Sequence, residues 1–99
     1  RFPLLVLKPR ITTRFFVLYL IMFFVYAISS SIRKYIYVGL TSNLDERIHR
    51  HNSGYEKTTK PYTPFDLIYV KQFETRIEAR QHEKYLKSTS GKRILYSLL

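Results

Sequence analysis

Five side chains in this sequence stand out by type and spacing: Tyr26, Tyr37, Arg47, His51 and Glu83. Glu83 shares a helix face with Ala79 and Leu86, and a carboxylate on an apolar face is costly unless it is paired or binds a cation. Arg47 offers a planar fork of donors that matches a phosphate, and His51 follows it by about one helical turn. Tyr26 and Tyr37 are phenols that ordinarily titrate near 10, so either would need help to act as a base at neutral pH. Each residue also has a plainer reading. The tyrosines could pack on a sheet, Arg47 could be solvated, and His51 could be a half-buried helix residue. Glu83 could pair with Lys84 or Arg80.

The charge balance narrows the partners. In 99 residues there are 17 Lys and Arg against 7 Asp and Glu, a net +10. Such a surface suits a polyanion, either nucleic acid or an anionic membrane face. Lys57, Lys60, Lys84, Lys87, Lys92 and Arg93 are candidates to hold a nucleic-acid backbone, which would make binding strongly salt-dependent. The absence of cysteine excludes a disulfide scaffold, a thiolate zinc site and a Cys nucleophile. Three histidines leave a metal site open; His49 and His82 read as surface residues without a role. The length suits one domain, with no room for a zinc finger or helix-hairpin-helix beside it.

These residues must be positioned by a small set of elements. Phe23–Ser29 and Lys34–Gly39 are rich in aromatic and β-branched residues and read as strands joined through Ser30–Arg33. A four-residue hairpin loop would set Ile28 opposite Tyr35 and Tyr26 opposite Tyr37, both tyrosines on one face. Asn43 with Glu46 starts a helix that Asn52-Ser53-Gly54 ends. After a loop to Pro64, Phe65–Phe73 reads as a third strand, buried at Leu67–Val70. Thr75 with Glu78 opens a second helix reaching about Ser88, and beyond a break at Ser90-Gly91, Lys92–Leu99 forms a short last one. The predicted order is β-β-α-β-α-α.

One stretch fits this scheme poorly. Phe15–Ile28 is an unbroken apolar run of fourteen residues, short of the roughly 20 that span a bilayer. Basic residues precede it and small ones follow, as in a secretory signal. A signal core would consume the first strand and cleavage would discard Tyr26, so the run reads instead as an extension abutting a buried strand. The expectation is therefore an extension over residues 1–21 and a domain over residues 22–99, with the functional polypeptide starting at Met22.

The pattern as a whole resembles the GIY-YIG nuclease family. Phe24-Val25-Tyr26 matches the first motif, with Phe in place of Gly. Tyr37-Val38-Gly39 matches the second, followed by Thr41, Asn43, Leu44, Arg47 and His51-Asn52-Ser53-Gly54. Glu78–Lys87 matches the family's metal-binding helix. The likeness covers about Met22 to Ile94 and is nearest to small standalone members related to the N-terminal domain of the UvrC protein of excinuclease ABC.

That resemblance implies an α/β (α+β) fold, a small three-stranded antiparallel sheet flanked by helices. It implies a cytoplasmic, divalent-metal-dependent endonuclease that hydrolyses phosphodiesters in DNA, branched or damaged DNA included, in a DNA-repair setting. Tyr37 would be the general base, Tyr26 would orient it or the phosphate, and Arg47 would clamp the scissile phosphate. His51 would touch the phosphate or Tyr26. Glu83 would be the single protein ligand of a Mg2+ ion, Mn2+ being the other candidate. No small-molecule substrate and no membrane partner are implied. The competing reading is a nucleic-acid-binding module of the same fold with feeble or no cleavage.

Overall fold

The computed structural model describes residues 22–99. The extension expected over residues 1–21, and the question of where the functional polypeptide starts, lie outside the described residues. Three strands, β1 (Phe23–Ser30), β2 (Ile36–Thr41) and β3 (Phe65–Phe73), form one antiparallel sheet in the order β2-β1-β3. Helix α1 (Leu44–Asn52) follows the hairpin, and α2 (Arg76–Lys87) and α3 (Thr89–Ser97) follow β3. The observed order is β-β-α-β-α-α, an α+β fold.

Strand β1 is central because both its faces are apolar, the pattern of a strand covered on two sides. Phe24, Tyr26 and Ile28 pack with Leu44 and Phe65 on one face. Val25 and Ala27 pack with Val38, Ala79, Leu86 and Leu95 on the other. The downstream part of the long apolar run is thus a doubly covered strand. The burial expected in the third strand belongs to β1 instead: β3 lies at the sheet edge, where Leu67–Val70 are only half-buried and Phe65 alone is buried.

The hairpin register differs from the expected one. Tyr26 pairs with Gly39, and Ile28 pairs with Tyr37. Ser30 supplies the reason. Its Oγ accepts the N–H groups of Ile32 and Arg33, both at 3.2 Å, and donates to the Tyr62 carbonyl at 2.7 Å. Its N–H donates to the Tyr35 carbonyl at 2.9 Å. The turn so fastened is residues 31–34, one residue later than expected, so Ser30 bonds Tyr35 across its base and β2 slides by two residues. A slip of two keeps every side chain on its face, so Tyr26 and Tyr37 remain neighbours on a diagonal.

The helix ends follow from their caps. Asn43 Oδ1 accepts the Glu46 N–H at 3.2 Å, while the Asn43 N–H goes to Thr41 Oγ1 at 3.0 Å and not to Glu46. Gly54, just beyond α1, has φ of 79°, the left-handed region that favours glycine. Thr75 Oγ1 accepts the Glu78 N–H at 3.2 Å and starts α2. The expected break at Ser90-Gly91 is not there. Ser88 Oγ accepts the Gly91 N–H at 3.2 Å, so α3 starts at Thr89 with Gly91 buried in its first turn. Among the described residues no helix is long and apolar enough to cross a membrane.

Ser30→Ala removes three bonds from a nearly buried hydroxyl. We expect a loss of about 1–3 kcal/mol in urea unfolding, with Ser31→Ala, an exposed neighbour, close to wild type.

Candidate active site

Four of the five residues singled out by the sequence meet on the α1 side of the sheet. Strand β1 supplies Tyr26, β2 supplies Tyr37, and α1 supplies Arg47 and His51 from adjacent turns. Tyr26 is 0% and His51 1% exposed, and Tyr26 Oη lies 2.8 Å from His51 Nε2. The Tyr37 ring centroid is 6.4 Å from that of Tyr26 and 4.9 Å from that of His51. Tyr37 is half-buried, so its edge of the cluster is the one solvent reaches.

Gly39 makes this packing possible. It faces Tyr26 across the ladder, and a Cβ there would stand 2.6 Å from Tyr26 Cζ. The ring therefore lies over bare backbone, which gives the Gly of the Tyr-Val-Gly motif a physical reason.

Burial sets the protonation of the cluster. It pushes the Tyr26 phenol well above its ordinary value, and the neighbouring Tyr37 adds to this. The Arg47 guanidinium, close enough to bond the Tyr26 hydroxyl, pulls the other way without winning. Burial also pushes the His51 imidazole down, helped by Arg47 and Arg50 against the opposing charge of Glu56. At neutral pH Tyr26 is a phenol and His51 is uncharged.

Two residues that spacing did not single out complete the picture. Thr59, in the loop after α1, is 0% exposed and its Oγ1 lies 2.9 Å from His51 Nδ1. Nothing in its sequence surroundings marks it, because the contact spans a loop. His82, expected at the surface, is half-buried instead. Its Nε2 lies 2.8 Å from Tyr69 Oη, and its ring sits 5.2 Å from that of Phe73. Helix α2 turns His82 onto β3, which a helix read in isolation does not reveal. His49 is exposed, as expected.

Glu83 stands apart from the tyrosines. It is 6% exposed on α2 between Ala79 and Leu86, whose apolar partners line the opposite face of β1. Its Oε1 bonds Arg80 at 3.0 Å and its Oε2 bonds Lys87 at 3.2 Å, so Lys87, not Lys84, is the second cation. Among the described residues no three His, Asp or Glu side chains gather as a metal cage. One buried carboxylate fits a hard cation that keeps most of its waters only once Arg80 and Lys87 release it. Lys57, Lys60, Lys84, Lys87, Lys92 and Arg93 are all exposed, the first two on the loop that carries Thr59.

A family model described as the GIY-YIG catalytic domain matches residues 22–96. The chain belongs to the GIY-YIG family. Its relatives include a UPF0213 protein of Clostridium perfringens, 42% identical over 53 residues, which are 52% of this chain and 57% of that protein. A UPF0213 protein of Bacillus subtilis is 40% identical over 58 residues, 58% of this chain and 59% of the relative. The chain thus spans less than two thirds of these curated relatives. The solution NMR structure of a UPF0213 protein from Bacillus halodurans is 32% identical, covering 78% of this chain and 84% of its own, with a TM-score of 0.48. Nuclease-type chemistry goes with the GIY-YIG family. Within its first motif this chain has Phe24, which is fully buried and fills the core beside Leu44.

Two outcomes follow for this GIY-YIG site. Gly39→Ala drives a Cβ into the Tyr26 ring and should cost about 1–3 kcal/mol in urea unfolding, typical of overpacking. His51 and His82 both titrate below unfolded histidine, each mainly through burial. Below about pH 6.5 the unfolded chain therefore takes up protons that the folded chain refuses. Stability from both groups is full above that pH and is lost as pH falls through the folded values. Thermal melts from pH 7.5 to 5.5 should show a falling midpoint, with a shallower slope in His51→Gln and in His82→Gln. A midpoint independent of pH over that range would contradict the assignment of both shifts to burial.

Proposed function

We propose that this domain is a metal-dependent endonuclease that hydrolyses phosphodiester bonds in DNA. The observation that carries the reading is the division of labour between the two tyrosines. Tyr26 is sealed in the core and held as a phenol by burial, while Tyr37 beside it is half-buried and reached by solvent at one edge. Tyr37 is then the group that takes the proton of an attacking water. Tyr26 and His51 brace it from behind. Arg47, on α1, neutralises charge gathering on the phosphate. Glu83 would hold the divalent cation, Mg2+ or Mn2+, exchanging its contacts with Arg80 and Lys87 for it. Such an ion supplies Lewis-acid stabilisation of the departing oxygen and activation of water when bound. The exposed lysines give the DNA backbone counter-charges without reading bases. Branched or damaged DNA, met in the cytoplasm, is the substrate we favour.

The pairing of Glu83 with both Arg80 and Lys87 favours a second reading, in which the carboxylate is structural and the domain binds nucleic acid without cutting it efficiently. Incubation with branched and duplex DNA, with and without Mg2+ or Mn2+, separates the two. We expect cleavage only with the ion, and a drop of about 100-fold or more in Tyr37→Phe, Arg47→Ala and Glu83→Gln, the range for losing a proton-transfer or charge-stabilising group. Unchanged folding should be verified by circular dichroism. Full activity in Glu83→Gln would remove Glu83 from the metal site. Salt-sensitive DNA binding with no cleavage under any ion would establish the second reading.

A further inference from the structure

We infer that Thr59 is a positioning residue: its hydroxyl accepts the Nδ1 proton of His51, which leaves Nε2 bare to take the Tyr26 phenolic proton. The link from this arrangement to catalysis rests on the nuclease reading above. The hydrogen-bond direction itself does not.

Donors and acceptors decide that direction. Four groups lie in a line, Arg47, Tyr26, His51 and Thr59, and the line ends at the Glu56 carbonyl. A guanidinium only donates and a carbonyl only accepts, so both ends of the chain have a fixed sense. Tyr26 has one proton to give. Among the described residues, the acceptor within reach of its hydroxyl is His51 Nε2, at 2.8 Å. Nε2 must therefore be bare. An uncharged imidazole then carries its proton on Nδ1, which donates to Thr59 Oγ1 at 2.9 Å. Thr59 Oγ1, having accepted, turns its own proton to the Glu56 carbonyl at 3.4 Å.

The reverse tautomer fails. With the proton on Nε2, His51 would donate to Tyr26, and the phenolic proton would face only Arg47. A doubly protonated His51 fails in the same way, and burial already disfavours it. A fully buried O–H without an acceptor bears the full desolvation cost of that group. The favoured polarity leaves a lone pair of Tyr26 Oη free to accept from Arg47. Thr59 does this without approaching substrate.

Long-range proton–nitrogen correlation spectra of the full chain, labelled with 15N, test the assignment at pH 7.5. We expect the His51 Nε2 shift of a bare ring nitrogen and the Nδ1 shift of a protonated one. Thr59→Ser keeps the hydroxyl and should keep that pattern. Thr59→Val keeps the shape without the acceptor, and the two shifts should move toward each other or exchange. In DNA cleavage, Thr59→Val should lower kcat by about tenfold with KM unchanged, the lower range for partners that orient active groups, and Thr59→Ser should restore it. A wild-type spectrum with the proton on Nε2 overturns the inference even if Thr59→Val does not fold. A wild-type pattern in folded Thr59→Val overturns it as well. If wild type cuts no DNA, the nuclease reading fails, while the ring shifts still decide the role of Thr59.

Discussion

The bond between Tyr26 and His51 ties the central strand to the first helix across 25 residues of chain. Everything on that face is arranged around it. Phe24 and Ile28 flank Tyr26 along β1, Leu44 and Phe65 close the pocket, and the Tyr37 ring leans on both partners. Two polar groups in such surroundings are costly unless each finds its complement, and a half-satisfied pair would be worse than leucine. His51 has both ring nitrogens bonded, and Tyr26 has both His51 and Arg47. The network is complete only when the strand, the helix and the Thr59 loop are all in place. Position of the site and closure of the core on this face are therefore one event.

The other face answers to different forces. Val25, Ala27, Val38, Ala79, Leu86 and Leu95 make a conventional apolar layer, into which α2 inserts one carboxylate. Glu83 relies on Arg80 and Lys87, two flexible side chains that are about half exposed. Exposed cations around a buried acid are an adaptable arrangement, in contrast to the locked Tyr26–His51 pair. If Glu83 takes a cation, as we propose, it is the residue whose present partners can leave. The residues that must hold still are fastened by groups that cannot.

How much of this was legible in the sequence depends on the distance over which each feature is decided. The faces of β1 and β2, the caps at Asn43 and Thr75, and the burial of Ala79, Glu83 and Leu86 follow from periods of two and near four, and all are observed. The hairpin register was not legible, because it hangs on Ser30 bonding the Tyr62 carbonyl, 32 residues away. The edge position of β3 was missed for a related reason: a run of apolar residues does not say which strand will be covered twice. His82 and Thr59 escaped notice because their partners, Tyr69 and His51, come from other elements. Local periodicity set Tyr26 beside Tyr37 and Arg47 on one stripe with His51, but that the two pairs meet in one site was implied only by the likeness to the GIY-YIG motifs.

Contacts between elements also explain why glycine belongs at position 39. Tyr26 must lie flat enough to reach His51 on α1, and its path crosses β2. Any side chain opposite it would lift the ring and lengthen the 2.8 Å bond. Lifting the ring would also disturb its contact with the Tyr37 ring, 6.4 Å away between centroids. A single missing Cβ therefore sets the depth of Tyr26. The depth of the Tyr26 ring is decided by a vacancy in the sheet, and the strand pairing that puts Gly39 opposite Tyr26 is decided in turn by the Ser30 turn. That chain of causes runs from a hairpin hydroxyl to the depth of a buried ring, with no step that a surface motif alone could specify.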